Sequence, residues 1–267
     1  MSLYRAEGIV LRTRALGEAD RIATIYTREA GKVRAVARGA RRPRCRLSGS
    51  TEPFTHAEFL LFRGTGLDNI SQVEIRESFQ AIRGNLGLMA RASYMAELLD
   101  RTTEEGEPAP EIFQLLLKCL RMLAQQDGPG AVDPDTVLYA YEARLLRYLG
   151  YAPMLDRCMG CGGPMGARRL VFYPSLGGVL CEGCRGNREQ LDTAGVEISR
   201  RSVEFLRWLL SGDLERLGYL RIPPSSKNEI REVLHAHEDF RLDSPLKSRG
   251  FLDRITEEFD GGDVKDG

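Results

Sequence analysis

Arg21-Ile-Ala-Thr-Ile-Tyr-Thr27 and, after a turn at Gly31, Lys32-Val-Arg-Ala-Val-Ala-Arg38 alternate with period two. Val33, Ala35 and Ala37 fall on one face of the second segment, and Lys32, Arg34, Val36 and Arg38 on the other. Outward from this pair lie Glu7-Gly-Ile-Val-Leu-Arg12 on one side and, on the other, Phe54-Thr-His-Ala-Glu-Phe-Leu-Leu-Phe62 and Ile70-Ser-Gln-Val-Glu-Ile75. Gly17, Gly31, Gly39, Pro43, Gly64 and Gly66 punctuate them, as turn residues between short strands do. Five such strands cannot bury both faces of an open sheet, whereas a small barrel closes their edges. A five-stranded barrel over residues 1–80 is what an OB-fold would be, and such barrels commonly bind oligonucleotides. An SH3-like barrel would show a similar pattern.

From Arg83 the period changes to that of helices. Leu86, Met89, Ala90, Tyr94, Leu98 and Leu99 form one apolar stripe. Pro110 opens a second helix carrying Ile112, Phe113, Leu116, Leu117, Leu120 and Leu123. Asp133-Pro-Asp opens a third, with Val137, Leu138, Tyr141, Leu145 and Leu149 closed by Gly150. Further helices are predicted from Ser202 to Leu210 around Trp208, from Pro224 to Phe240 and from Ser248 to Phe259. The expected architecture is an α+β multidomain chain: an N-terminal OB-fold barrel (1–80), a helical-bundle body in two parts (81–152 and 193–259), a Cys-rich module inserted between them (153–192), and a polar, disordered tail (260–267).

The 267 residues fit two domains, and 42% hydrophobic with 28% charged residues excludes wholesale disorder. Apolar runs such as Ile112–Leu117 fall far short of the roughly 18 residues a spanning helix needs, and the start has no apolar stretch of signal-peptide length. The expected location is cytoplasmic and nucleoid-associated, with no membrane partner. The formal net charge of zero hides an asymmetry. Residues 1–48 hold twelve Arg or Lys against four Asp or Glu, so the rest of the chain carries the compensating negative charge. Between Gly31 and Leu47 stand Lys32, Arg34, Arg38, Arg41, Arg42, Arg44 and Arg46 with no acid. Such a run is either a solvated loop or the footprint of a polyanion partner.

Cys158-Met-Gly-Cys161 and Cys181-Glu-Gly-Cys184 are two C-x-x-C pairs at the separation of a four-thiolate zinc site. Two knuckles that each turn two sulfurs to one centre complete a tetrahedron. Gly160, Gly162, Gly163, Gly183 and Gly186 supply tight backbone, and Leu170-Val-Phe-Tyr with Gly178-Val-Leu reads as a ribbon hairpin. With four sulfurs filling every position no water could be activated, so the expected cofactor is one structural Zn2+ per chain. Two disulfides or a redox pair are the competing readings. A reducing compartment disfavours the first, and the absence of a βαβ unit the second. Cys119 falls on an apolar helix face, and Cys45 lies inside the basic run.

Catalytic candidates are scarce. The three histidines are His56, which sits in a strand and reads as structural, and His235 and His237, which do not share a helix face. No phosphate-binding G-x-x-x-x-G-K-[ST], G-x-S-x-G, H-E-x-x-H or G-x-G-x-x-G occurs. The sequence points away from an enzyme and from a small-molecule substrate.

A basic barrel, a helical body and a four-Cys insert in this order resemble the RecO family of bacterial recombination mediators. The resemblance rests on Glu7-Gly-Ile-Val-Leu, Gly17-Glu-Ala-Asp-Arg-Ile, Thr27-Arg-Glu-Ala-Gly31-Lys, Ala37-Arg-Gly-Ala-Arg-Arg before Pro53-Phe, and Tyr148-Leu-Gly-Tyr151 ahead of the first C-x-x-C. The family usually has Ser where Cys45 stands. The resemblance covers about 250 residues, everything but the tail. It implies an ATP-independent, non-enzymatic DNA repair factor that binds single- and double-stranded DNA and anneals complementary strands. It further implies work with RecR, and with RecF in some settings, to load RecA onto strands coated with single-strand-binding protein, whose C-terminal tail the helical part would contact. Carried over by position, Lys32, Arg34, Arg38, Arg41, Arg42, Arg44 and Arg46 stand where the family binds DNA, with Arg200 and Arg201 as a second contact. Arg121, Arg144 and Arg147 are candidate rim residues for the tail. An RNA-binding or transcription-associated zinc-ribbon factor is the alternative from another class, and a thiol-cycling redox protein a third.

Overall fold

The computed structural model describes residues 2–43, 45–128, 130–165, 169–185, 194–242 and 244–260. They form two compact units: Met1–Ala124 with Leu246–Gly267, and Gln125–Pro245.

The first unit is built on β1 (Leu3–Leu16), β2 (Asp20–Thr27), β3 (Gly31–Ala37), β4 (His56–Phe62) and β5 (Asp68–Glu77), with the short helix α1 (Arg46–Ser50) between β3 and β4. The strands close into an OB-like barrel in the order β1-β2-β3-β5-β4, with β3 and β5 the one parallel pair. The inward positions are the period-two sets of the sequence: Ala6 and Val10, Ala23 and Ile25, Ala35 and Ala37, Ala57, Phe59 and Leu61. Alanines dominate because a five-stranded barrel leaves little room at its axis. Gly8 takes the tightest place, where an added Cβ would lie 2.6 Å from Ile25 Cγ2.

β1 is much longer than the Glu7–Arg12 expected. Its first half pairs with β4 (Leu3–Ile9) and its second with β2 (Gly8–Leu16), so it supplies the closing edge of the barrel. A bulge between Val10 and Arg12 bends it, within a run of four consecutive buried residues, Gly8, Ile9, Val10 and Leu11. In the same unit α3 (Leu86–Thr102) packs on β1, and α2 (Gln80–Gly84), α4 (Pro110–Ala124) and α9 (Lys247–Asp260) pack on α3. Buried His56 marks the joint to α4. Its two ring nitrogens face Glu7 Oε1 at 2.9 Å and Glu77 Oε1 at 3.1 Å, and Glu77 is also gripped by Arg121 of α4. The helices therefore divide between the units: α3 and α4 go with the barrel, whose β2 is buried along both faces, and α9 packs on α3.

The second unit holds α5 (Pro134–Tyr148), α7 (Arg200–Ser211), α8 (Pro224–Arg241) and a three-stranded sheet in the order β7-β6-β8. The expected hairpin is β6 (Arg169–Tyr173) and β7 (Gly178–Leu180), followed by the single turn α6 (Glu182–Arg185). The third strand, β8 (Val196–Ser199), pairs with the other edge of β6 and runs directly into α7. A 3-10 helix, Leu214–Tyr219, joins α7 to α8. Asp133 caps α5 by accepting from Thr136 N at 2.8 Å, and Arg144 and Arg147 of α5 donate to the last carbonyls of α7 and the residue beyond it, Leu209, Leu210 and Gly212. The tail expected at 260–267 lies outside the described residues beyond Asp260, as does Gly186.

Candidate metal centre and candidate nucleic-acid interface

The metal centre belongs to the second unit. Its first knuckle is anchored to β7, since Met159 N donates to Val179 O at 2.9 Å. The chain then turns back, with Gly162 at φ +69° and its N–H donating to Cys158 O. The second knuckle begins where β7 ends, and Cys184 N and Arg185 N both donate to Cys181 O. The result brings one sulfur from each of Cys158, Cys161, Cys181 and Cys184 together, all four within 4.8 Å of one another. A tetrahedron with bonds of about 2.3 Å has edges of about 3.8 Å, and Cys161 and Cys181 stand at 3.9 Å.

The surroundings fit a cation. Gly160 N and Cys181 N each donate to Cys158 Sγ at 3.3 Å. A Cβ on Gly160 would lie 2.9 Å from both Cβ and Sγ of Cys184, so only glycine lets the knuckles approach this closely. Burial raises the Cys158 thiol, but N–H donors from Cys181, Cys161 and Gly160 outweigh it and bring it down to about 6. Cys184 is pushed up to about 12 by Cys181, Cys161 and Cys158 beside it. Four sulfurs this close cannot all be anionic by themselves, and the cluster is of a kind that could hold a thiophilic metal ion.

The cationic segment belongs to the first unit, and the structure divides it. Lys32 Nζ, with its side chain only 11% exposed, donates to the carbonyls of Asp100 and Thr103 at 2.5 and 2.6 Å and lies 3.4 Å from Asp100 Oδ1. It holds the end of α3 against the barrel. Arg34 pairs with Glu105 at 2.5 Å. Beyond β3 the pattern changes: Arg38, Arg41, Arg42 and Arg46 are exposed, and none of them has an acidic partner among the described residues. Arg44 lies outside the described residues.

The loop that presents these arginines is built by the residues of the Gly17–Arg21 motif. Asp20 Oδ1 accepts from Gly39 N at 2.7 Å, which pins Gly39 at φ +69°. Ala19 O accepts from Arg41 N, Gly17 O accepts from the Arg41 guanidinium at 2.6 Å, and Arg21 donates to Ser48 O and Glu52. Arg38 donates to Asn69 Oδ1 at 3.3 Å. Arg14, exposed on β1 ahead of the same hairpin turn, also lacks an acidic partner among the described residues. A run-based charge count missed it because Glu18 and Asp20 follow it.

Tyr26 and Phe54, the aromatic residues nearest the basic run, are both buried. Arg200 and Arg201 are exposed at the start of α7 in the second unit, where Arg201 lies over the Phe205 ring at 5.6 Å. Of the residues expected to rim a tail pocket, Arg121 is engaged by Glu77, and Arg144 and Arg147 by the end of α7. His237 is buried, its Nε2 donating to Tyr151 O, and burial lowers its pKa.

A small OB-like barrel with an acid-free arginine loop, in one chain with a helical body and a four-cysteine metal module, defines a multidomain class of protein. Residues 1–79 match the family described as recombination protein O N terminal, and residues 83–250 the one described as recombination protein O C terminal. The chain is 41% identical over 255 residues to the DNA repair protein RecO of Pelotomaculum thermopropionicum, covering 96% of this chain and 95% of that one. It is 40% identical to that of Symbiobacterium thermophilum (96% and 98% covered) and 34% identical to that of Bacillus subtilis (95% of each). The chain belongs to the RecO family. Among the described residues no helix is long and apolar enough to cross a membrane.

Proposed function

We infer that this chain is an ATP-independent DNA repair and recombination mediator. It binds single- and double-stranded DNA, anneals complementary strands and, with RecR and in some settings RecF, helps load RecA onto strands coated with single-strand-binding protein. The observation that carries the reading is the loop after β3: Arg38, Arg41, Arg42 and Arg46 stand exposed without acidic partners on the barrel of a RecO-family chain. Two complementary strands repel each other, and cations that neutralise phosphates on both lower the cost of bringing them together. Such contacts read no bases, so binding is sequence-tolerant and needs no chemistry. Arg44 and Arg14 extend the set. Lys32 and Arg34, engaged by α3 and Glu105, shape the platform more than they touch DNA, and Arg200 and Arg201 form a second contact. The ion held by Cys158, Cys161, Cys181 and Cys184 is zinc, one per chain, in a structural role.

The test is strand annealing with complementary oligonucleotides, without ATP, at low and high salt, naked and coated with single-strand-binding protein. Fast, salt-sensitive annealing that survives the coating is expected. Absence of annealing together with tighter binding to RNA than to single-stranded DNA would replace the repair reading by an RNA-binding one.

A further inference from the structure

The aromatic residues beside the arginine loop of the barrel, Tyr26 and Phe54, are buried, so that loop has no ring to offer a base. The sequence Leu214-Glu-Arg-Leu-Gly-Tyr-Leu220 supplies a ring in the second unit. It forms the 3-10 helix between α7 and α8, in which side chains three residues apart eclipse one another. Leu214, Leu217 and Leu220 make the packed edge, with Leu217 fully buried. Arg216 and Tyr219, also three apart, make an exposed edge. Tyr219 is 84% exposed, more than any other large apolar or aromatic side chain among the described residues, and an unpaired phenol ring so presented has no role in packing. Arg221, just beyond, folds back so that its guanidinium donates to Gly218 O at 2.5 Å, which keeps its charge beside the turn. Arg221 and Arg201 line one depression with Leu220, Ile222 and Pro223, in which Lys227 is matched by Asp133 at 2.7 Å. Arg201, Arg216 and Arg221 have no acidic partner among the described residues. The one acid on the 3-10 helix itself, Glu215, sits on its third edge.

We propose that Tyr219, with Arg216, Arg221 and Arg201, is a base-stacking contact for single-stranded DNA. The ring stacks on an unpaired base while the arginines take the flanking phosphates. An exposed ring with cations near it in the sequence and fold fits a flexible strand whose bases are turned out; the arginines serve either kind of strand, but the ring adds nothing to a duplex, whose bases are already stacked. The inference rests on the reading of this chain as a DNA-binding mediator and adds a discrimination between single and double strands that the barrel loop cannot make.

The experiment uses the full chain and three fluorescent probes: a thymidine oligonucleotide, an abasic oligonucleotide of equal length and a duplex. Wild type and the variants Tyr219→Ala, Tyr219→Phe and Arg38→Glu/Arg41→Glu are compared. Removing the ring should weaken binding to the thymidine strand roughly five- to 100-fold, the range of one base–aromatic stack. Binding to the abasic strand and the duplex should stay unchanged, and Tyr219→Phe should bind like wild type. Tyr219 is so exposed that its loss should leave the melting temperature as it is. If Tyr219→Ala binds all three probes like wild type while Arg38→Glu/Arg41→Glu loses them, the stacking contact is wrong and the DNA-binding reading stands. If wild type binds none of them, both fall. Equal weakening on all three probes would also overturn the stacking assignment.

Discussion

Lys32 and Arg41 look alike in sequence, two cations in one acid-free run, and the fold makes them opposites. Lys32 Nζ satisfies the carbonyls of Asp100 and Thr103 at the C-terminal end of α3, where a cation is favoured by the helix dipole. Replacing Lys32 by Met should therefore lower stability by about 1–3 kcal/mol, as expected for buried acceptors left without a charged donor, and leave annealing per folded molecule near wild type. Thermal unfolding and annealing on the same preparation check both halves. Asp133 is a second residue whose part is set by its partners. Burial raises its carboxyl, but Lys227 and the Thr136 donors outweigh that and hold it below the ordinary carboxylate range. A carboxyl depressed on folding gives stability that is complete above its unfolded value of about 4 and is lost as pH falls through the lower folded value. Melting temperature should accordingly drop below pH 4 in the wild type. In Asp133→Asn it should start lower at pH 7 and fall less steeply.

Among the elements, the alternating segments at 21–27 and 32–38 were legible because a barrel strand has one wet and one dry face and the residues follow it. The two-partner length of β1 was not, since Leu3, Tyr4 and Arg14 towards its ends are held as strand by pairing with β4 and β2 rather than by a pattern of their own. β8 was hidden for a related reason: four residues, Val196-Glu-Ile-Ser, become a strand only because the open edge of β6 waits for them. The four cysteines were fully legible, because a thiolate tetrahedron has few possible spacings. Mass spectrometry of the native protein should find one zinc per chain, and Cys158→Ser should reduce it. Stripping the metal with a chelator should expose the module to proteolysis, because four sulfurs within 4.8 Å no longer share a counter-charge. Full retention of protease resistance in metal-free protein would remove the structural role.

On the scale of the whole molecule, the balance of 38 cations and 38 anions says nothing of function, while its distribution does. The arginines on the β3–α1 loop are held out by Asp20, Ala19 and Gly17, so the residues that make the opening motif distinctive are those that shape the loop. Which cations stay free could not be read from the run, because Glu105 and Asp100, which take Arg34 and Lys32, are about 70 residues away in sequence. The exposed edge of the 3-10 helix was invisible for the same reason: Arg216 and Tyr219 are unremarkable until Leu217 is seen buried. Binding of DNA by the loop after β3 is expected to work by neutralising phosphates. It is tested most directly by the salt dependence of single-stranded DNA binding in wild type and in Arg38→Glu/Arg41→Glu. For single strands the slope of log K against log salt is about −0.7 per phosphate contact. Loss of two contacts should weaken binding at low salt and flatten the slope by about 1.4. A variant that binds with the wild-type slope would contradict the claim and place the DNA on another face of the protein.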